Sequence, residues 1–357
     1  MTVFLGAKAR PAVELVSQSV RHNVHHKHKK ESLTMNNILY MVIPCYNEQE
    51  VLGETAERLR VKFEDLIGKG KISGKSKIVF VNDGSKDKTW QIICELNRGS
   101  SLFGGINLSR NQGHQNALLA GLMTVKVDAD MVISMDADLQ DDISAIDEMV
   151  DKFLQGIDIV YGVRNNRKRD SFFKKVTAEA FYRLMNAMGA NTIFNHADYR
   201  LMSKRALSGL SEFGEVNLFL RGIVPMVGYS YDTVFYERGE RFAGESKYPF
   251  RKMLAFAIEG ITSLSTRPIR MITSLGFLIF FISIIMLVYS IVRYFMGATI
   301  VGWTTLMVSL WAIGGLILLS LGIVGEYIGK IYLETKRRPR FIIEKYLRES
   351  ETNERDE

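Results

Sequence analysis

Between Ile38 and Tyr161 the chain alternates short apolar runs of strand character with longer stretches whose apolar residues recur at helical spacing. The runs are Ile38–Ile43, Lys77–Val81, Gly104–Leu108, Met131–Met135 and Ile157–Tyr161. Glu50–Ile67, Thr89–Asn97, Gln115–Lys126 and Ile143–Leu154 separate them with the periodicity that predicts helices. Strands joined through helices of that length build βαβ units, and hence an α/β domain with a mostly parallel sheet.

Further along, the apolar positions from Phe172 to Met188 recur at helical spacing among Lys174, Lys175 and Arg183. That pattern fits either a helix packed on a core or one lying in a membrane interface. From Arg270 to Arg293 no charge intervenes, and a second uncharged stretch runs from Tyr294 to Gly325. Each exceeds the roughly 20 residues a membrane helix needs. The connector around Met296–Gly302 has no Lys or Arg, whereas Arg267 and Arg270 precede the pair and Lys330, Lys336, Arg337, Arg338 and Arg340 follow it. The positive-inside rule then puts both termini and the sheet domain on the cytoplasmic side of a plasma membrane. The expected organisation is a flexible leader over 1–35, a catalytic domain over 36–247, a juxtamembrane amphipathic segment over 248–270, two membrane helices over 271–328 and a cytoplasmic tail over 329–357.

In a parallel sheet, ligands bind beyond the carboxyl ends of the strands. A polar cluster follows each run: Pro44–Glu48, Asn82–Ser85, Ser109–Asn111, Asp136–Gln140 and Gly162–Arg164. Five clusters therefore converge on one edge. Asp136 and Asp138 offer carboxylates and Gln140 an amide oxygen, the oxygen ligands that hard cations such as Mg2+ or Mn2+ prefer. Asp141 and Asp142, just before a predicted helix, suit its N-terminal cap. Tyr46 and Glu48 are placed to hold a base, and Asp83 to accept from base or ribose donors. Gly84 and Ser85 permit the turn that follows.

Composition narrows the classes. With 46 Lys and Arg against 39 Asp and Glu the net charge is +7, yet no basic stripe interleaved with aromatics and no zinc-ligand spacing accompanies it. Nucleic acid is excluded as the partner, and anionic lipid and phosphate substrates account for the charge. Cys45 and Cys94 are too few for a disulfide framework and read as core in a reducing compartment. The leader carries His22, His25, His26 and His28 among lysines without helix or strand periodicity, and Met35 stands where translation could begin. Neither a P-loop nor a dinucleotide fingerprint follows the first run.

Taken together, Val42–Glu48, Val81–Asp87, Leu108–Gln115, Met135–Asp141 and Arg241–Lys247 resemble a family 2 glycosyltransferase of the GT-A fold. More narrowly, they are similar to the polyprenyl-phosphate glycosyltransferases, which include dolichyl-phosphate mannose synthase and the bactoprenol glucosyltransferases. The resemblance implies inverting transfer of a hexose from a nucleotide-diphosphate sugar to polyprenyl phosphate at the bilayer surface, by an enzyme that is tetrameric in the bacterial branch. It implies that Pro44, Tyr46, Glu48, Val81 and Asp83 bind the nucleoside, that Asp136 and Ala137 line the diphosphate site, and that Asp138 and Gln140 bind the metal. Arg164, Arg241, Ser246 and Lys247 would meet the phosphates of donor or acceptor, with 241–247 on a loop. Asp198 takes the place of a catalytic-site aspartate, with Asp136 the second catalytic residue, and Arg200 is either a phosphate ligand or half of a structural salt bridge. A processive synthase would carry Gln-x-x-Arg-Trp, a context none of Trp90, Trp303 and Trp311 provides. A non-catalytic scaffold or flippase partner remains the alternative of another class.

Overall fold

The computed structural model describes residues 37–164, 196–237, 239, 261–263, 265–296 and 302–348. The first half is the expected alternation: β1 (Leu39–Cys45), α1 (Leu52–Gly68), β2 (Lys77–Asn82), α2 (Thr89–Gly99), β3 (Phe103–Leu108), α3 (His114–Val125), β4 (Met131–Ser134), α4 (Ala145–Leu154) and β5 (Ile159–Arg164). Period-two burial explains why these runs are strands. Leu39, Met41 and Ile43 of β1 face one apolar cluster with α1 and α4, while Tyr40 and Val42 face a second one with α3. Helices thus cover both faces, as a sheet of parallel strands requires.

The eight strands run in the order β7-β5-β6-β4-β1-β2-β3-β8. β1 pairs in parallel with β2 and β4, β2 with β3, and β5 with β7 (Tyr231–Tyr236). Only β6 (His196–Ser203) and β8 (Ile343–Leu347) oppose their neighbours, so the sheet is mostly parallel. β6 lies between β4 and β5, which periodicity alone would have made neighbours. β8 lies in the segment expected as a cytoplasmic tail, yet it returns to cover the edge of β3. A bare edge would leave a row of backbone donors and acceptors open to other chains.

Two short helices, α5 (Lys204–Ser211) and α6 (Leu220–Met226), precede β7. α5 begins at Ser203, whose hydroxyl accepts from Ala206 N at 3.1 Å. That same hydroxyl donates to Asp158 Oδ1 at 2.9 Å, Ser230 Oγ donates to Oδ2 at 2.8 Å, and the Arg205 guanidinium holds both oxygens. Asp158 therefore joins the starts of β5, α5 and β7. Although burial opposes it, Arg205, Ser230 and Ser203 hold its carboxyl below the ordinary value. A depressed folded-state pKa means that its contribution is complete above the unfolded value of about 3.9 and is lost as pH falls through the folded one. Asp158→Ala is expected to lower stability by about 1–3 kcal/mol, since it strands buried Ser203 without its acceptor. Thermal unfolding of the solubilised protein checks this, and the deficit against wild type should shrink in acid.

Beyond the sheet come α7 (Arg267–Phe295) and α8 (Trp303–Lys336). Arg267–Arg293 and Val308–Lys336 are long and apolar enough to cross a membrane, and neither is buried inside the protein. Side chains such as Phe277, Phe281, Leu318 and Leu319 instead face outward.

Candidate active site

At the ends of β1 and β2 two loops lock together. Asn47, at φ 56, receives a hydrogen bond from Lys86 N on its side-chain oxygen (2.9 Å), while its own N–H donates to Ser85 Oγ (3.0 Å). Glu48 N donates to Thr89 Oγ1 at 2.9 Å. Gly84, at φ +63, lies so close to the next loop that a Cβ would stand 2.5 Å from Asn111 N, which only glycine avoids. Tyr46 is exposed and Glu48 half-buried at this edge, with Pro44 buried behind them. Asp83 has both oxygens engaged, by Gln112 N (2.7 Å) and Gly113 N (2.9 Å). It thus secures the turn that starts α3. Val81 is wholly buried against Gly121, because β2 is covered by α3.

The Asp136–Gln140 loop leaves β4 through Leu139 at φ 57. Thr55 Oγ1 donates to Ala137 O at 2.9 Å, Gly239 N to Gln140 O at 2.9 Å and Gln140 N to Asp138 Oδ1 at 3.2 Å. Asp142, not Asp141, makes the turn into α4, accepting from Ser144 N at 2.8 Å. Asp141 is buried and turns the other way: its Oδ1 accepts from Tyr236 OH at 2.5 Å and Arg164 Nη2 at 3.3 Å. The expected capping pair is therefore divided, because β7 supplies Tyr236 beneath the loop. Arg164 is committed on two sides, with Nε on Tyr236 OH at 3.1 Å.

Since β6 runs against β4, its first residues reach the same edge. Asp198 lands beside Asp136, its carbonyl accepting from Ser134 Oγ at 2.5 Å. Arg200 lies beneath it, 1% exposed, with Nη2 2.6 Å from Asp198 Oδ1. Of the two expected alternatives for Arg200, the geometry is that of the salt bridge. On the open side, Arg221 Nη2 reaches Asp198 Oδ2 at 3.1 Å. His114 Nε2 stands 3.7 Å from Asp198 Oδ2 and 3.5 Å from Asp136 Oδ1. Burial alone would raise the Asp198 pKa, but Arg221, His114 and Arg200 hold it well below the carboxylate range. The imidazole of His114 is held above its usual value, against its own burial, by Asp198 and Asp136.

Asp136 behaves oppositely. Burial pushes it up to about 6, and Asp141, Asp198 and Asp138 add to the rise against the pull of His114. Asp136 Oδ1 and Asp141 Oδ2 are buried oxygens without a hydrogen-bond partner among the described residues. Such crowding of negative charge suits a divalent cation. No group of three or more His, Cys, Asp or Glu that could hold a metal is found among the described residues.

A cavity of about 410 Å³ opens in front of Asp198, walled by Gln112–Asn116, Val216–Leu218 and Arg221. Another, of about 530 Å³, lies on the far side of the acidic loop against Leu139–Ile143, Glu57, Arg58 and Glu237. The site thus gathers Tyr46, Glu48, Asp83, Asp136–Gln140, Arg164, Asp198 and Arg200 at one edge. Arg241, Ser246, Lys247 and the Phe172–Met188 helix lie outside the described residues. His114 and Arg221 carried no expected role. The only signal for Arg221 was a lone cation in the apolar run Leu218–Val224.

A mostly parallel α/β sheet with an acidic loop at one edge, backed by a buried Asp–Arg pair, is an arrangement compatible with a sugar-transferring enzyme, and the sequence relatives give the class as glycosyltransferase. The chain belongs to glycosyl transferase family 2, whose model matches residues 40–210. It is 52% identical over 307 residues to the glycosyltransferase YkoT of Bacillus subtilis, covering 86% of this chain and 91% of that one. It is 40% identical over 305 residues to the bactoprenol glucosyl transferase of Shigella phage SfX, covering 85% and 97%. Among solved structures, mannosyl-3-phosphoglycerate synthase from Rubrobacter xylanophilus aligns with a TM-score of 0.44 at 15% identity, covering 68% of this chain and 77% of that one.

Proposed function

We propose that this glycosyltransferase moves a hexose from a nucleotide-diphosphate sugar to polyprenyl phosphate at the cytoplasmic face of the membrane. The observation that carries the reading is the pairing of the acidic Asp136–Gln140 loop with an ionised Asp198 flanked by Arg221 and His114, in a chain that also bears two unburied apolar helices. The name of the phage relative, a bactoprenol glucosyl transferase, supports the acceptor class.

In this reading the nucleoside lies along Pro44–Glu48 and Asp83, with the diphosphate over Asp136–Asp138. Asp138 and Gln140 would hold Mg2+ or Mn2+, which when bound supplies Lewis-acid stabilisation of the departing nucleoside diphosphate. An acceptor phosphate oxygen forms the new bond to the anomeric carbon as the bond to the leaving diphosphate breaks. A phosphate monoester, with a second pKa of about 6, arrives ionised and needs no strong base. Asp198, held so far below neutrality, is a poor proton acceptor; it orients the sugar and fixes Arg221 and His114 instead. Arg221 adds positive charge and His114 an imidazole N–H for the acceptor, and Arg164, with Arg241, Ser246 and Lys247, completes the set.

α7 and α8 would span the bilayer and hold the site beside an insoluble acceptor, raising its effective concentration. Membranes containing the protein are expected to transfer label from a nucleotide sugar to polyprenyl phosphate, giving an alkali- or acid-labile glycolipid identified by mass spectrometry. Absence of any lipid product across a panel of uridine and guanosine diphosphate sugars would instead favour a scaffold or flippase partner.

A further inference from the structure

The 34 residues of α8 rise about 51 Å at 1.5 Å each, whereas the hydrocarbon core is roughly 30 Å thick. Part of α8 must therefore stand clear of the bilayer, and it ends against the catalytic sheet through β8. Glu334 sits in that last part. Its carboxylate accepts from Val216 N at 2.9 Å on each oxygen, from Asn217 N at 2.8 Å and from Asn217 Nδ2 at 2.8 Å. Asn217 Nδ2 also reaches Lys330 O at 3.4 Å, and Arg340 Nη2 donates to Phe213 O at 3.1 Å. A carboxylate in the final turns of a helix is opposed by the macrodipole. The Glu334 carbonyl accepts from Arg337 N at the end of α8, but its carboxylate is directed to the loop.

That loop is a wall of the 410 Å³ cavity in front of Asp198. Just beyond Asn217, Leu220 N donates to Gln115 Oε1 at 2.8 Å, beside His114, and Arg221 reaches Asp198. Both basic side chains on the open side of Asp198 are thus adjoined by a segment that Glu334 holds. We propose that Glu334 is a positioning residue that ties the membrane helix to the acceptor side of the catalytic cavity, setting Arg221 against Asp198 by fixing Val216 and Asn217. The inference rests on the functional reading above and adds a route from membrane anchor to site. A charge-assisted grip on consecutive backbone N–H groups suits this task, because it fixes the loop without occupying the cavity.

The test uses the full chain in lipid nanodiscs. Hydrogen exchange at Val216 and Asn217 N–H is expected to quicken about tenfold or more in Glu334→Gln, and unchanged exchange there overturns the tie whatever the enzyme's substrate proves to be. With the donor and polyprenyl phosphate on which wild type is active, Glu334→Ala should lower kcat by about tenfold or more. Binding of the nucleotide sugar should stay within about twofold of wild type. Glu334→Ala in an Arg221→Ala background should cost no more than about a further twofold, as expected of residues acting in series. Wild-type kcat in Glu334→Ala, losses that multiply in the double variant, or donor binding weakened as much as turnover would each overturn the proposal. If Glu334→Ala does not fold, the same comparisons on Glu334→Gln decide, with a smaller loss of kcat expected. Absence of lipid product in wild type would count against the functional reading alone, since exchange is read without substrate.

Discussion

Asp138→Ala is expected to lower sugar transfer by on the order of 10³-fold, the loss typical when one preorganised electrostatic contact to a developing charge is removed. The fold should survive. The loop is held by Thr55 on Ala137 and by Gly239 on Gln140, neither of them through the Asp138 side chain. Thermal unfolding should therefore be close to wild type while donor binding no longer responds to Mg2+ or Mn2+. Calorimetry with the nucleotide sugar, with and without metal, reads this independently of turnover. Activity above about a tenth of wild type, or binding that still strengthens with metal, would remove Asp138 from the metal site. Chelation of wild type should reproduce the same loss and re-addition of metal should reverse it.

Asp198→Asn should damage both stability and activity. The carboxylate neutralises Arg200, which is fully buried and has Nε and Nη1 without hydrogen-bond partners among the described residues. Taking one partner from a buried ion pair costs roughly 3–5 kcal/mol, because the other charge stays in a poor dielectric. The sign with pH follows from a folded pKa held below the unfolded one. Wild-type stability from this pair is present above about pH 3.9 and is lost as pH falls through the folded value, whereas Asp198→Asn lacks it throughout. Denaturant unfolding at neutral and acid pH should show the gap between the two proteins closing in acid. Activity at neutral pH should drop by about 100-fold or more in the fraction that remains folded, since Arg221 and His114 lose the charge between them. Near-normal turnover with normal stability would show that Asp198 neither neutralises Arg200 nor orients the reaction.

The elements from β1 to β5 were legible because each declares itself locally. Ile38–Ile43 became Leu39–Cys45, Gln115–Lys126 became His114–Val125, and Ile143–Leu154 became Ala145–Leu154. Apolar spacing sets the type of element, and Gly, Asn and Asp set the turns between. Tyr46, Glu48, Asp83 and Asp136–Gln140 were legible for the same reason, since they follow strands whose direction was already known. Val81 is buried against α3, and which side of a strand a residue takes depends on which helix covers it. Asp141 was misread as a cap because its partners, Arg164 and Tyr236, come from distant strands.

The sequence by itself determined the parallel core, the edge where the polar clusters meet, the acidic loop and the two apolar helices, all of which rest on patterns within a few turns or a single strand. Only the tertiary structure decided that β6 would enter between β4 and β5 in reverse, which carries Asp198 to Asp136 and buries Arg200 under it. It also decided that His114 and Arg221 would face the same carboxylate, and that Glu334 of α8 would hold Val216 and Asn217. These are contacts between residues far apart in the chain, selected by burial and charge pairing after the sheet is assembled, and no local periodicity encodes them.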